Sequence, residues 1–346
     1  MATSPNNKRL LFVGSDTFSR LTLGAMLNRN VQNKYKIDVL SPPKGRRGTP
    51  IYKFHQFCEE NELEINIFQG RDKRTEWRQF TKSMPFYNLG IVSSFRHMVP
   101  GYVINKFIRP TNEDFPNNFF YCVHPSLLPK YRGALPIQYT LLNGDDKAGV
   151  SLIHLSKRTF DAGNIVLQKS IDIDSTHTYR DLRNSLGTLG GELAADIALG
   201  DPEDFNRKSI VQNKDDTSKA FFFKEDDFNQ FNFKEKSAEE NLRIFNAFTG
   251  SSTEPFTEIY VKKSDKKALF DDLTVVDISD PSEKRIIDYF ESTDTTEGNY
   301  KFHRKMNKTE IYIKCFDQTY LKFSSVRISG LGKMPASKLM MYQIGE

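Results

Sequence analysis

His124 and Asp161 are the two side chains of the 346-residue chain whose settings point most clearly to chemistry. His124 closes the apolar run Phe119–Val123 and opens the segment His124-Pro125-Ser126-Leu127-Leu128-Pro129-Lys130-Tyr131-Arg132-Gly133-Ala134. Two prolines and a glycine exclude a regular helix there, so the segment reads as an ordered loop at a strand end. Asp161 follows 37 residues later, in Phe160-Asp161-Ala162-Gly163-Asn164-Ile165. Taken singly, each residue has an ordinary reading: a histidine that caps a loop, an aspartate that caps a turn. Taken together they make a proton-handling pair, because a carboxylate holds one imidazole tautomer and stabilises the charged ring. Cys122 stands two residues before His124, on the same face of the strand. It reads either as a small buried side chain or as a thiol nucleophile beside its base.

Such a pair needs a scaffold, and the hydrophobic pattern supplies one. Leu10–Val13, Ile37–Leu40, Ile65–Phe68, Leu89–Val92, Phe119–Val123, Gly149–Leu155 and Ile165–Ile173 read as strands. Helical patterns alternate with them: Phe18, Leu21, Leu23, Met26 and Leu27, then Ile51, Phe54, Phe57 and Cys58, and a long helix from Thr178 to about Leu199. Strands alternating with helices predict an α/β domain with a mainly parallel sheet over residues 1–200. In such sheets ligands lie beyond the carboxyl ends of the strands, where His124 falls. Residues 201–218 are polar with few apolar anchors and read as a linker. Residues 219–346 then offer a helix around Asn241–Phe248 and short strands at 256–261, 273–276, 311–316 and 321–326, with Ser292–Asn299 as a loop insertion. Short strands separated by turns predict a small OB-like β-barrel.

Composition narrows the classes. Apolar residues form 38% of the chain, but 28 Phe and 14 Tyr bring large side chains, so two sizeable cores are within reach. No run approaches the roughly 18–20 apolar residues of a membrane span, so no membrane partner is expected. Residues 1–207 hold 27 Lys and Arg against 21 Asp and Glu, a net of +6, and residues 208–346 a net of −1, for +5 in all. This mild excess fits a polyanionic partner, but on charge alone a solvated surface is the commoner reading. Its most concentrated expression is the loop Lys44-Gly45-Arg46-Arg47-Gly48, with Arg304 and Lys305 in a second cluster. Cys58, Cys122 and Cys315 are far apart and have no His or Cys neighbours at ligand spacing, so neither a disulfide framework nor a metal site is expected. A reducing compartment follows.

The motif order resembles that of the folate-dependent formyltransferases: His124-x-Ser126-Leu127-Leu128-Pro129-x-x-x-Gly133, then Pro136-Ile137-Gln138, Gly149-Val150 and Asp161-x-Gly163. Phe12-Val13-Gly14-Ser15 is similar to that family's first strand and turn, and Ser94-Phe95 with Val99-Pro100 to its element between sheet and ligand. Arg158-Thr159-Phe160-Asp161-Ala162-Gly163 is similar to the mitochondrial form of the branch that acts on methionyl-tRNA. The helix near Asn241–Phe248 and the segment Ser329–Met334 resemble elements of that branch's second domain.

The resemblance implies a Rossmann-like domain and formyl transfer from 10-formyltetrahydrofolate to the amino group of methionine on initiator tRNA. It implies no metal. It also implies catalytic roles for His124 and Asp161, and folate contacts along Ser126, Leu127, Leu128 and Pro129 and near Phe95 and Val99. Lys44, Arg46, Arg47, Arg304 and Lys305 would meet tRNA, and the protein would be a monomer of the mitochondrial matrix, with the cytoplasm as the alternative compartment. The basic loop and second domain weigh against a sugar nucleotide or glycinamide ribonucleotide as acceptor. One position departs from the family pattern: Cys122-Val123-His124 stands where Asn-x-His is usual. A thiol donates a much weaker hydrogen bond than an amide, and losing one oxyanion donor costs about 10²–10³ in rate. The alternatives are a slow enzyme, a rearranged donor, or an impaired homologue that binds folate or tRNA without efficient turnover.

Overall fold

The computed structural model describes residues 8–107, 118–223, 228–251, 253–261, 264–293, 296, 300–305, 308–339 and 344–345. They divide into two compact units. The first comprises residues 1–137, 147–172 and 181–221, and the second residues 138–146, 173–180 and 222–346.

The first unit is built on a seven-stranded sheet. Its members are β1 (Arg9–Gly14), β2 (Lys36–Ser41), β3 (Glu64–Ile67), β4 (Leu89–Ser93), β5 (Phe120–His124), β7 (Lys147–His154) and β8 (Ile165–Asp172); β6 (Arg132–Gly133) lies outside it. The strand order is β3-β2-β1-β4-β5-β7-β8. The first five run parallel, and β7 and β8 complete the sheet antiparallel. Leu10–Gly14 and Leu89–Ser93 are buried throughout, the continuous apolar signature of strands covered on both faces. Helices α1 (Thr17–Asn28), α2 (Pro50–Glu60) and α3 (Lys73–Ser83) link the strands, with a short α4 (Gly101–Ile104) after β4. Asp16, Thr49 and Asp72 cap the first three through their side chains, satisfying backbone N–H groups that the first helical turn leaves without partners. The sheet is thus mixed and mainly parallel, a Rossmann-like fold.

The order reverses between β1 and β4, so the loops leaving β1, β4 and β5 gather at one carboxyl edge. Their first turns are tied together. The Ser15 hydroxyl donates to the Ser94 carbonyl at 2.7 Å, Ser19 to the Ser93 carbonyl at 2.6 Å, and Ser94 to the Asp16 carboxylate at 2.5 Å.

The helices α5 (Pro136–Asn143) and α6 (Tyr179–Leu199) come next along the chain. Residues 201–218, which the composition presents as a linker, fold onto the first unit. Asp201 caps a short α7 (Pro202–Arg207), and fully buried Asn206 accepts a hydrogen bond from the Tyr121 hydroxyl at 2.7 Å. Ile210 pairs with Ile165, and β9 (Lys219–Ala220) runs parallel to β6. Polar side chains build this anchorage, which is why apolar periodicity does not reveal it.

The second unit is β-rich and, among its described residues, antiparallel within its two sheets. β10 (Thr257–Val261), β11 (Ser264–Phe270), β12 (Thr274–Val275), β13 (Tyr300–Lys305), β14 (Lys308–Lys314), β15 (Tyr320–Phe323), β16 (Ser325–Ile328), β17 (Gly332–Pro335) and β18 (Ile344–Gly345) form it, with helices α8 (Ala238–Phe248), α9 (Lys284–Ser292) and α10 (Ala336–Leu339). A five-stranded sheet has the order β17-β16-β11-β10-β18 and a four-stranded one β12-β15-β14-β13. Phe231, Phe270 and Phe323 stack in sequence at centroid distances of 5.1 and 4.4 Å, and Phe290 meets Tyr320 at 5.4 Å. The strands around 256–261, 273–276, 311–316 and 321–326 are present; β11, β13 and β17 are short on apolar residues and escape a hydrophobic pattern. Most of the Ser292–Asn299 insertion lies outside the described residues.

Candidate active site

His124 is the last residue of β5, buried at 5% exposure. Its Nε2 lies 3.0 Å from the Tyr131 carbonyl. A carbonyl only accepts, so Nε2 carries the ring proton. Nδ1 is left facing the Asp161 carboxylate, with Oδ1 at 3.6 Å. That separation exceeds a hydrogen bond, but it places the carboxylate where it faces the ring nitrogen that the Tyr131 carbonyl leaves open. His124 therefore serves both readings of its sequence position: it fastens the loop through Nε2 and offers Nδ1 to the carboxylate. Nδ1 is the atom free to exchange a proton.

Asp161 is held as tightly. Its backbone is left-handed, with φ 56°. Its Oδ2 accepts from the Gly133 N–H at 3.0 Å, leaving Oδ1 for His124. Gly133 adopts φ 129°, open to glycine and strained for other residues. Two residues past Asp161, a Cβ on Gly163 would sit 1.7 Å from the His154 carbonyl oxygen. The Asp-x-Gly spacing thus has a steric origin: only glycine lets the turn press against β7.

Cys122 pairs with Val92 on one side and Ile153 on the other. It is partly buried against the apolar cluster that holds Phe95, Val99, Phe68 and Trp77. Burial, reinforced by the Asp161 charge, pushes its thiol well above the ordinary range. A thiolate is disfavoured here, which weighs against the nucleophile reading. As a neutral small side chain Cys122 packs well, and as a donor it is weak.

The loop expected to meet folate is ordered by its own hydrogen bonds. The Ser126 hydroxyl donates to the Lys130 carbonyl at 2.7 Å and the residue is 1% exposed, so this side chain shapes the loop from within. Leu128 is also buried, and its N–H donates to the Ser151 hydroxyl at 3.1 Å. Gln168 donates to the Leu128 carbonyl at 2.9 Å. Leu127 and Pro129 are partly exposed, as is Pro125, and Lys130 is exposed. Phe95 stands edge-on to Phe68, Trp77 and His97 at 5.9, 6.2 and 5.3 Å, with Val99 buried beneath. Together these form an apolar wall beside the His124 end of β5.

The basic residues are placed differently. Lys44 is paired with Glu59 at 2.6 Å and lies over the Tyr52 ring. Arg46 and Arg47 are exposed, and among the described residues neither guanidinium has an ion-pair partner. Arg304 and Lys305 belong to β13, but their side chains lie outside those described. Among the described residues no group of three or more His, Cys, Asp or Glu is arranged to hold a metal ion, and no helix is long and apolar enough to cross a membrane.

Motif reading passes over two polar anchors of this site. Gln212 sits in the polar segment after α7, where nothing in the sequence singles it out; its amide reaches the Asp161 and Gly163 carbonyls and the Arg132 guanidinium. Ser151, on β7 opposite His124, donates to the Ser126 carbonyl at 2.6 Å. An inward-facing serine in an otherwise apolar strand is the signal available for it.

A Rossmann-like sheet with a His/Asp pair beyond β5 defines a class, and residues 91–196 match the model of the formyl transferase family. This stretch holds β5, the His124 loop and Asp161. Curated relatives make the likeness more particular. The chain is 31% identical over 215 residues to a protein named methionyl-tRNA formyltransferase from Ehrlichia canis, covering 61% of this chain and 66% of the relative. It is 30% identical to mitochondrial methionyl-tRNA formyltransferase from Bos taurus, over 57% of this chain and 46% of the relative. The matches span less than two-thirds of these relatives' own length.

Solved structures share the fold at low identity. A sugar 3N-formyl transferase, determined in the presence of dTDP and 5-N-formyl-THF, superposes with a TM-score of 0.54 at 18% identity, covering 91% of this chain and 97% of the other. HypX from Aquifex aeolicus, in complex with tetrahydrofolic acid, gives 0.55 at 15% identity, covering 96% and 46%.

Proposed function

We propose that the protein transfers a formyl group from 10-formyltetrahydrofolate to the amino group of methionine on initiator tRNA, without a metal. The observation that carries this reading is the His124–Asp161 pair at the carboxyl end of β5, inside the span that matches the formyl transferase model, in a chain similar to proteins named for that reaction. The chemistry is acyl transfer between amines. The methionine nitrogen bonds to the formyl carbon, a tetrahedral species with a negatively charged oxygen forms, and the bond to the folate nitrogen breaks. The proton lost by the attacking amine ends on the departing nitrogen. His124, through Nδ1, takes and returns that proton, and as imidazolium it opposes the oxyanion charge. Asp161 holds the ring and balances its charge. Leu127, Pro129, Phe95 and Val99 supply the apolar side of the folate site, while Ser126 and Leu128 keep its loop in shape. Arg46, Arg47 and Lys44, with Arg304 and Lys305, meet tRNA phosphates. The mitochondrial relatives support a matrix location. The protein acts as a monomer.

Cys122 supports a second reading, in which the chain binds folate or tRNA with little turnover. The two are separated by incubating purified protein and the Cys122→Asn variant with 10-formyltetrahydrofolate and one of three acceptors. The acceptors are methionine-charged initiator tRNA, an amino-sugar nucleotide and glycinamide ribonucleotide. The expected result is formyl-methionyl-tRNA from both proteins, with the Asn variant about 10²-fold faster. Product on a small acceptor and none on tRNA overturns the first reading. Turnover on tRNA only after Cys122→Asn establishes the second.

A further inference from the structure

We infer that Gln212 is a positioning residue of the His124–Asp161 site, acting by keeping the Arg132 cation off the Asp161 carboxylate. This rests on the site assignment proposed above. Gln212 is buried, and both ends of its amide are used. Its Nε2 donates to the Asp161 carbonyl at 2.9 Å and to the Gly163 carbonyl at 2.7 Å. These two bonds staple both sides of the left-handed turn that aims Asp161. Its Oε1 accepts from Arg132 Nε at 2.9 Å and Nη2 at 2.6 Å. One side chain therefore fixes the position of the carboxylate-bearing turn and of the nearest guanidinium together.

The arrangement matters because Arg132 and Asp161 are natural partners. Arg132 is next to Gly133, whose N–H holds Asp161 Oδ2 at 3.0 Å. The two charges are close enough for Asp161 to raise the guanidinium's affinity for its proton, against the lowering imposed by burial. Yet among the described residues the recorded partner of Asp161 in an ion pair is His124, and the guanidinium bonds to a neutral amide. A guanidinium is built to grip a carboxylate with two parallel hydrogen bonds. Such a grip would occupy Oδ1 and cancel the charge that His124 faces. The Gln212 carbonyl oxygen satisfies the Arg132 fork instead, and the carboxylate stays with the imidazole.

The segment's anchoring fits this role. Ile210 pairs with Ile165 and β9 with β6, so Gln212 enters between the two loops on a backbone fixed at both ends. No charge-bearing substitute does the same work. A glutamate at this position would hold Arg132 but would turn two donors into acceptors facing two carbonyls.

The test compares Gln212→Leu, Gln212→Glu and the double variant Gln212→Leu/Arg132→Leu with the wild type, each first checked for an unchanged circular dichroism spectrum. In Gln212→Leu, kcat is expected to fall about 10²-fold while KM for 10-formyltetrahydrofolate stays within about threefold, the pattern of a lost transition-state interaction. The double variant recovers at least about tenfold of that loss, because the competing cation is gone; a merely structural role predicts further loss instead. Gln212→Glu falls between. A crystal structure of Gln212→Leu, independent of any activity, shows the Arg132 guanidinium hydrogen-bonded to Asp161. The inference is overturned by near-normal kcat in Gln212→Leu, by a double variant no better than the single one, or by Arg132 remaining clear of Asp161 in that structure. A wild-type protein that formylates no acceptor overturns the function proposed, and the crystal structure still decides the clamp.

Discussion

The carboxyl end of β5 and the basic loop after β2 are built on opposite principles. At β5, every group that could drift is held by a second one: His124 by the Tyr131 carbonyl, Asp161 by the Gly133 N–H, Ser126 by Lys130, Leu128 by Ser151. In the basic loop, Thr49 bonds back to the Arg46 carbonyl and Lys44 pairs with Glu59, while Arg46 and Arg47 stay exposed. The first region is costly to disturb and spends its polar groups on geometry. The second leaves two cations solvated and adaptable. Chemistry on a small reacting centre demands the first arrangement, and contact with a phosphate backbone tolerates the second.

The contrast breaks first at the pair itself. His124→Ala and Asp161→Ala are each expected to lower kcat by about 10³–10⁴, with thermal unfolding showing a folded protein in both cases. Asp161→Asn keeps an acceptor for Gly133 and loses only the charge, so it should lie between these variants and the wild type. Single-turnover formylation measures all three. Near-normal rates in either alanine variant would show that the tightly held region is a structural knot with the chemistry elsewhere.

The strand beside this region carries a pH liability. His154, on β7, has Nδ1 at 2.9 Å from the Asn118 carbonyl and a buried Nε2 without a hydrogen-bond partner. Burial brings its pKa down to about 4. Above pH ~6.5 both folded and unfolded chains hold this histidine neutral. As pH falls from there the unfolded chain takes up a proton and the folded one does not, so stability drains away until pH ~4 and then levels off. The loss attributable to His154 is about 2–3 kcal/mol across that window. Urea midpoints measured from pH 7 to 4 should fall more steeply for the wild type than for His154→Gln. Parallel curves would mean that this strand imposes no such cost.

How much of each region the sequence disclosed follows from the same physics. The sheet is legible because strands buried on both faces must be apolar throughout, as Leu10–Val13 and Leu89–Val92 are. The His124 loop is legible because proline, glycine and a strand end coincide there. Gln212 is not, since a buried amide among polar neighbours resembles any solvated glutamine until its four partners are in view. The same blindness makes residues 201–218 resemble a linker: Asn206 and Gln212 anchor that segment by hydrogen bonds, which leave no hydrophobic period. In the second unit, β13 and β11 hide for a related reason. Strands in antiparallel sheets need only every other residue inward, so the lysines at 266, 267, 301 and 305 leave no continuous apolar run.

The smallest effect belongs to the loop, and it sharpens the comparison most. Arg46→Ala/Arg47→Ala removes two exposed cations from a segment whose own fold depends on Thr49, Gly48 and the Lys44–Glu59 pair. The protein's thermal stability should therefore not change, since neither side chain contributes an ion pair to it. If the loop meets tRNA phosphates, KM for the charged tRNA rises about tenfold, while kcat at saturating tRNA and KM for the formyl donor hold. Each phosphate contact adds close to one unit to the slope of log affinity against log salt, so the double variant's slope should be shallower by about two. Two outcomes contradict this. An unchanged salt slope makes the arginines a solvated surface, and a fall in kcat with constant tRNA affinity would mean that the loop belongs with β5 after all, a working part of the site instead of a handle for its substrate.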